Sequence, residues 1–293
     1  MIATVDPGQE RTVFLSTLPA PRQQCLCALL IALASLCIFL LCAPFAQVKL
    51  TEVWAFMPSY QGVYLAMDLI TATLLFAQFA ILAEPSLLLL ASGYMFTGLI
   101  SIPHALSFPR LFGPAGLIGG GAQTTAWLYM IWHAGFPLAV IGYSLLHGSR
   151  RSRHPRILLA GAIAVVVALV VGAGLLTTAG HHLLPTLMRG DRYTPVLPIV
   201  TDTVCAIIAL ALLVLLQRRP YSVLDVWLMV VMSAPVSIRA LHVPGRVAGV
   251  VKDLDAPMPT LRKAPPGTMG IVSSGIRRRH SRCNGSARSR RLA

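Results

Sequence analysis

Residues 103–137 read PHALSFPRLFGPAGLIGGGAQTTAWLYMIWHAGFP, and this stretch holds the features from which the fold and a candidate site can be predicted. It joins two apolar segments through a loop rich in Gly and Pro, and it contains two Trp and two His. Most of the remaining chain is apolar and carries few polar residues. If the protein binds or senses a molecule, we expect the contact to be made here.

The composition is that of a membrane protein. Of 293 residues, 56% are hydrophobic and 12% are charged, and the mean hydropathy is +0.72. In soluble domains about a quarter of the residues are charged. Apolar runs of about twenty residues recur, which is the length of a transmembrane helix, and in lipid the backbone must satisfy its own hydrogen bonds. The predicted fold is all-α, a polytopic transmembrane helix bundle.

Six membrane spans are predicted, over residues 25–43, 62–83, 87–102, 124–146, 157–179 and 196–216. A seventh apolar run starts at Val223 and is expected to break near Pro235, where Arg239 and Pro244 soon follow. Ten apolar residues are too few to cross a hydrocarbon layer of about 30 Å. The bundle is therefore predicted to have six clear spans and a broken seventh.

The two ends of the chain differ in charge. Residues 1–22 are polar and lack the apolar core of a signal peptide, whereas half of the 24 Lys and Arg residues lie after residue 238. Residues 23–234 are expected to form the membrane domain, and residues 235–293 a disordered Arg/Pro-rich tail. We expect this tail to be a non-native ending from a shifted reading frame or a truncated gene. It lacks interleaved aromatic residues, so no specific nucleic-acid partner is predicted.

The distribution of Lys and Arg predicts the orientation. With the N-terminus inside, the inner segments hold eight Arg residues and the outer loops hold four Lys or Arg residues. Basic residues favour the cytoplasmic side. We therefore expect a multi-pass protein of the bacterial inner membrane with a cytoplasmic N-terminus, whose partners are the lipid bilayer, an unknown small-molecule or membrane stimulus, and a second copy of the chain in a homodimer.

Polar residues inside the spans are the candidate ligand-binding residues, because an ionisable group in a membrane is costly and often functional. Asp68 and Asp202 are predicted roughly two turns below the outer ends of their spans, which indicates a cavity open to the periplasm. The alternative for Asp68 is a structural hydrogen bond to a Ser or Thr of a neighbouring helix, and the alternative for Asp202 is a solvated or capping role near the interface. The candidate residues are Asp68, Tyr94, His104, Trp132, His133 and Asp202.

Four further features of the sequence concern metal binding, the wall of the pocket, helix capping and catalysis. His104 at the mouth of one span and His133 about 15 Å deeper are expected to be too far apart for one metal, and no metal site or other cofactor is predicted. Trp132 and His133, with a helix loosened at Gly135, are expected to form one wall of the pocket. Ser222-x-x-Asp225 matches a helix-capping box. No catalytic motif is present, so the chain is not expected to be an enzyme.

Three long stretches and a fourth near the C-terminus resemble a known family. These are DLITATLLFAQFAIL (68–82), SGYMFTGLISIPHALSFPRLF (92–112), QTTAWLYMIWHAGFP (123–137) and RPYSVLDVWLMVVM (219–232). Over residues 12–233 the chain resembles the fourth class of bacterial membrane-associated sensor domains, the MASE type. The resemblance implies an integral sensor of undefined ligand that precedes a GGDEF diguanylate cyclase or, in some proteins, a histidine kinase.

The sequence departs from the resemblance near Ser233, after which neither a GGDEF signature nor a kinase histidine box is found. The main hypothesis is therefore a sensory input module for cyclic di-GMP signalling whose output domain is missing. Two alternatives stay open. One is a small membrane redox protein that binds haem or quinone through His104, His133 and Asp68. The other is a small transporter that uses Asp68 and Asp202, although no inverted repeat is visible.

Overall fold

The computed structural model describes residues 18–42, 45, 55–109, 111, 113, 116–119, 121–189 and 192–240, with the backbone alone at 192 and 235–240. The described helices are α1 Arg22–Cys42, α2 Phe56–Leu82, α3 Pro85–Ser107, α4 Gly121–Leu146, α5 Pro155–Thr178, α6 Val196–Gln217 and α7 Val223–Ala240. Between α5 and α6 lie a 3₁₀ turn, His181–Leu183, and an antiparallel hairpin of β1 Met188–Arg189 and β2 Arg192–Tyr193. Helices α1 to α6 are long and apolar enough to cross a membrane, which confirms the predicted polytopic all-α fold.

Helix α3 lies at the centre of the bundle. In the apolar 18-residue part of α3, 61% of the residues are buried, whereas 6% are buried in the corresponding parts of α1 and α5. It packs against α2, α4 and α5, whereas α6 packs against α4 and α7, and α1 packs against α7. The mostly exposed faces of α1 and α5 are apolar, as expected of helices that face lipid tails.

Two helix ends differ from the prediction. Helix α2 begins at Phe56 rather than at residue 62, and α3 continues through Pro103 to Ser107 rather than ending at 102. Pro58 is tolerated in the first turn of α2, where the missing N–H has no helical partner. Within α3, the serine hydroxyls of Ser101 and Ser107 donate to backbone carbonyls near the proline, at 2.6 and 2.7 Å. Such bonds help a membrane helix accommodate proline.

Helix α4 is continuous through Pro137 to Leu146, and Gly135 has a packing role within it. The ring of Phe96 from α3 lies directly on Gly135, so closely that a Cβ at that position would collide with it. Phe136 is itself buried, at 8% exposure. Gly135 therefore allows two helices to approach closely, which is a common use of small residues in membranes.

Helix α7 also continues past the expected break, through Pro235 to Ala240. Its apolar part covers only Val223–Ala234, which is shorter than a membrane span. The prediction of a broken seventh helix is thus right about its apolar length and wrong about where the helix ends. Residues 241–293, and with them most of the predicted disordered tail, lie outside the described residues.

Backbone hydrogen bonds fix the connecting segments at one end of the bundle. The segment before α1 pairs with the α6–α7 turn, because Ala20 N–H donates to Tyr221 O at 3.0 Å and Val223 N–H donates to Leu18 O at 3.0 Å. The Ser152 N–H in the α4–α5 connector donates to Ala83 O between α2 and α3 at 2.8 Å. The short segments at this end are therefore held to the bundle. Because the N-terminal segment is among them, we call it the inner end.

At the opposite, outer end, Gln123 in the first turn of α4 holds the α5–α6 segment. Its Oε1 accepts bonds from the N–H groups of Leu187 and Met188 at 2.9 and 3.0 Å, and its Nε2 donates to Pro185 O at 2.9 Å. Trp127 Nε1 donates to the same Pro185 carbonyl at 3.0 Å. The quoted stretch thus anchors this segment, which the sequence did not indicate.

Candidate functional site

A buried hydrogen bond joins α2 and α3 near the outer end. Gln61 Nε2 and His104 Nδ1 are 2.7 Å apart, and the two residues are 3% and 2% exposed. With the amide in this orientation, Nε2 donates, so the neutral ring accepts at Nδ1 and carries its proton on Nε2. Gln61 Oε1 is buried and has no hydrogen-bond partner among the described residues.

Aromatic rings from α4 lie next to His104. The His104 ring lies 5.4 Å from Trp132 and 6.1 Å from Tyr129, measured between centroids, and the His133 ring lies 3.8 Å from Tyr129 and 5.2 Å from Trp132. His133 Nδ1 is 2.9 Å from the Tyr129 carbonyl. A carbonyl only accepts, so this nitrogen carries the proton. We call Gln61, His104, Tyr129, Trp132 and His133 the outer cluster.

The expected separation of about 15 Å between His104 and His133 is wrong. Thr125 Oγ1 donates to the Ser107 carbonyl at 3.0 Å, which fixes the register of α3 against α4. His104 lies three residues below Ser107, and His133 lies eight residues below Thr125, so their depths differ by about 7 Å at a rise of about 1.5 Å per residue. The error arose because α3 extends beyond residue 102 and places His104 inside the helix.

Asp68 lies deeper than predicted, as the thirteenth of the 27 residues of α2 rather than two turns from its outer end. It is half-buried at the contact with α3, where a Cβ on Gly98 would be 3.2 Å from the Asp68 Cβ. The neighbouring Thr97 hydroxyl on α3 donates to the Tyr94 carbonyl at 2.8 Å. Tyr94 also lies on α3, and the centroid of its ring is 4.7 Å from that of Phe136. Asp68 and Tyr94 therefore both lie deeper in their helices than Gln61 and His104 of the outer cluster.

The predicted site residues therefore divide into three places. His104, Trp132 and His133 come together in the outer cluster, and Asp68 with Tyr94 lies below it. Asp202 is exposed on α6, which packs against α4 and α7. A cavity of about 480 Å³ is found elsewhere, at the outer hairpin beside Arg189 and Tyr193.

From the sequence, Gln61 is missed, and Tyr129 is expected only to share a packed wall with Trp132, His133 and Phe136. Gln61 was placed outside the second span, but it lies seven residues before Asp68, which puts both on one face of a helix. This seven-residue spacing is the feature of the sequence from which Gln61 could have been predicted. Within the described residues, no three His, Cys, Asp or Glu side chains are grouped so that they could hold a metal ion.

A second polar group lies at the inner end, where α7 begins. Asp225 is 1% exposed, and its Oδ1 accepts bonds from Tyr143 Oη on α4 at 3.0 Å and from Arg218 Nη1 at 3.1 Å. Its Oδ2 accepts from Ser222 N–H at 2.9 Å, while Asp225 N–H donates to Ser222 Oγ at 3.1 Å. This reciprocal pair confirms the predicted capping box. We call Tyr143, Arg218, Ser222 and Asp225 the inner cluster.

The inner cluster also has a favourable charge arrangement. The Arg218 guanidinium lies 4.8 Å from the centre of the Tyr143 ring and is paired with Asp225. His147 lies beside it, outside the membrane spans, with its ring 6.4 Å from that of Tyr143. Partial burial lowers the pKa of the His147 imidazole, and Arg218 adds to the lowering. Charge, aromatic contact and helix capping thus hold α4, the α6–α7 turn and α7 together.

The fold and these two clusters define a polytopic helical membrane domain with buried polar groups at both ends and no recognisable catalytic centre among the described residues. The family of membrane-associated sensors, integral membrane domain (MASE4), matches residues 51–243, and the chain belongs to this family. Searches among curated proteins and among solved structures give no match. The matched region starts after α1 and extends past Ser233, so the expectation that the resemblance ends there is wrong.

Proposed function

We propose that this membrane sensor domain receives its stimulus at the outer cluster. The observation that carries the proposal is the Gln61–His104 bond next to aromatic side chains of α4. Two polar side chains with exposures of 3% and 2% are costly to bury unless every polar atom is paired. Gln61 Oε1 has no described partner, so a small molecule that donates a hydrogen bond would complete the site.

The response would travel along α4. Trp132 and Tyr143 are eleven residues apart on this helix, which places them on one face and about 16 Å apart along its axis. Trp132 belongs to the outer cluster, and Tyr143 bonds to Asp225 at the start of α7. A shift or rotation of α4 at the outer cluster would therefore strain or release the capping box of α7.

The output would be a diguanylate cyclase or histidine kinase activity coupled to α7, as the family resemblance implies. In this proposal the protein lies in the bacterial inner membrane with a cytoplasmic N-terminus. The inner cluster and the start of α7 then face the cytoplasm, where both output activities have their nucleotide substrates. The support for this orientation is the excess of Arg residues at the inner end.

The experiment joins residues 1–240 to a diguanylate cyclase catalytic domain and measures cyclic di-GMP in cells. We expect His104→Ala or His133→Ala to change the output by about threefold or more, since about 1 kcal/mol shifts a two-state equilibrium by a factor of about five. His182→Ala is the matched control, because His182 is exposed in the 3₁₀ turn. Asp68→Asn tests the deeper group in the same fusion.

Membrane insertion is measured in parallel for every variant. If His104→Ala and His133→Ala both insert normally and leave the output unchanged, the outer cluster is structural and the proposal fails. If the unmodified fusion shows no output above a catalytically inactive fusion, the coupling through α7 fails instead.

The second candidate function is a redox protein that binds haem or quinone. It is favoured by one observation, the approach of His104 and His133 to the same two rings. Neutral imidazole is a common haem ligand. Purification of the full chain from cells supplied with haem, followed by absorbance spectroscopy and lipid extraction, tests this function. A preparation without a Soret band and without co-extracted quinone would exclude it.

A further inference from the structure

The α4–α5 connector, residues 147–154, is basic and is held in place. Arg150, Arg151 and Arg153 are all exposed, and Arg156 follows in the first turn of α5. The Ser152 N–H between them bonds to Ala83 O at 2.8 Å, and the His154 N–H bonds to Ser152 Oγ at 3.1 Å. The arginines are therefore presented from a tethered backbone at the inner end of two membrane-spanning helices.

No acidic side chain neutralises these arginines within the part of the chain that the structure describes. The one ion pair found there joins Arg218 to Asp225, and the other described acid at this end is Glu84. Arg22 and Arg219 are exposed at the same end, where the N-terminal segment pairs with the α6–α7 turn. An unpaired cationic surface thus lies at the level where α4 and α5 leave the hydrocarbon layer.

We infer that this surface binds anionic phospholipid headgroups, with Arg150, Arg151 and Arg153 as the principal contacts. A guanidinium forms paired hydrogen bonds with phosphate oxygens, and basic residues next to a transmembrane helix attract anionic lipid within about a Debye length of the surface. Phospholipid is the occupant because the helices themselves fix the connector at the headgroup level. A zwitterionic headgroup offers the same phosphate but no net charge. The ratio of bound anionic lipid to bound zwitterionic lipid therefore measures how strongly the site selects for charge.

The contact also has a structural consequence. The connector is bonded to the α2–α3 turn through Ser152 and Ala83, and His147 at its start lies next to the inner cluster. Lipid bound to the arginines would hold the connector against the bundle beside the start of α7. The inference is independent of the stimulus proposed for the outer cluster.

The test incubates the full chain, purified in a non-ionic detergent, with an equimolar mixture of phosphatidylglycerol and phosphatidylcholine. Retained lipids are quantified by mass spectrometry after free lipid is removed. We expect phosphatidylglycerol to exceed phosphatidylcholine in the wild-type protein, and the triple variant R150Q/R151Q/R153Q to lower this ratio by about threefold or more. R189Q is the matched control, because Arg189 is also exposed but lies at the outer end.

Two results would overturn the inference. One is a triple variant that retains the wild-type lipid ratio. The other is an R189Q variant whose ratio falls as far as that of the single variant R151Q, since this would show an effect of total charge alone. The single variant R151Q controls for misfolding of the triple variant. It is expected to lower the lipid ratio by a smaller factor and to leave the unfolding temperature unchanged.

Discussion

The Tyr143 hydroxyl on α4 donates a hydrogen bond to Asp225 on α7 at 3.0 Å, across 82 residues of sequence. The acceptor oxygen is also bonded to Arg218, and the other oxygen of the carboxylate completes the cap of α7. One carboxylate therefore determines both how α7 starts and how it is attached to α4. This arrangement makes the inner cluster the strongest candidate for the link between the membrane bundle and whatever follows α7.

Asp225→Asn is expected to destabilise the protein by about 3 kcal/mol, because it leaves the Arg218 charge without its partner at a largely buried position. Tyr143→Phe removes a single hydrogen bond and is expected to cost about 1 kcal/mol. The free energy of unfolding, measured in detergent for both variants and for the double variant, tests this prediction. The two effects should not be additive, because the residues are in direct contact. Additive losses would mean that the Tyr143 hydrogen bond does not depend on the charge of the side chain at position 225.

Gln123→Ala is expected to loosen the α5–α6 segment without unfolding the bundle. The substitution removes the acceptor of two backbone N–H groups, those of Leu187 and Met188, which are 0% and 9% exposed. An unpaired buried N–H costs about 1–3 kcal/mol, so these amides should exchange with solvent about tenfold faster or more. Hydrogen exchange read by mass spectrometry over residues 180–195 measures the effect.

Trp127→Phe is the graded control for this experiment, since it keeps a ring at the position and loses only one bond to Pro185. It should produce a smaller increase in exchange than Gln123→Ala. Unchanged exchange in both variants would show that the hairpin is held by other contacts.

The sequence was sufficient to predict the helical membrane fold, because apolar runs of membrane length are visible without any tertiary information. The capping box of Ser222 and Asp225 was also predictable, since both partners lie within one turn. What could not be predicted was the partner of Asp225 on another helix. Tyr143 is separated from it in sequence by two complete spans, α5 and α6, and no local pattern relates them.

The contacts within the outer cluster could likewise not be predicted from the sequence. His104, Trp132 and His133 were recognised as unusual residues for a membrane helix, but their mutual distance depended on where α3 ends. A proline at residue 103 usually marks a helix end in soluble proteins, whereas α3 continues to Ser107. Gln61 was missed for a similar reason, because the first turns of α2 contain polar residues and the span was predicted to begin at residue 62.

Ala83→Gly is expected to stabilise the protein by about 1 kcal/mol. Ala83 ends α2 in the left-handed conformation, with φ of 54°, and its N–H bonds to Phe79 O at 2.7 Å. This conformation costs an L-residue with a side chain roughly 1–2 kcal/mol, and glycine adopts it freely. The unfolding temperature in detergent should rise. Ala83→Val, which adds a branched side chain at the same position, should lower it, and a fall in both variants would contradict the strain argument.

His147 should make the stability of the protein depend on pH below about 6.5. Partial burial lowers the pKa of its imidazole from 6.5 and Arg218 lowers it further, while Asp225 and Glu84 act in the opposite direction. The folded protein thus binds this proton less readily than the unfolded chain, so the stability is fully present above pH 6.5 and is lost as the pH falls towards the folded pKa. Between about pH 7.5 and 5.5 the unfolding temperature of His147→Gln should therefore fall less than that of the wild type. All other titrating groups are common to both proteins, so equal declines would show that His147 is not held in its neutral form.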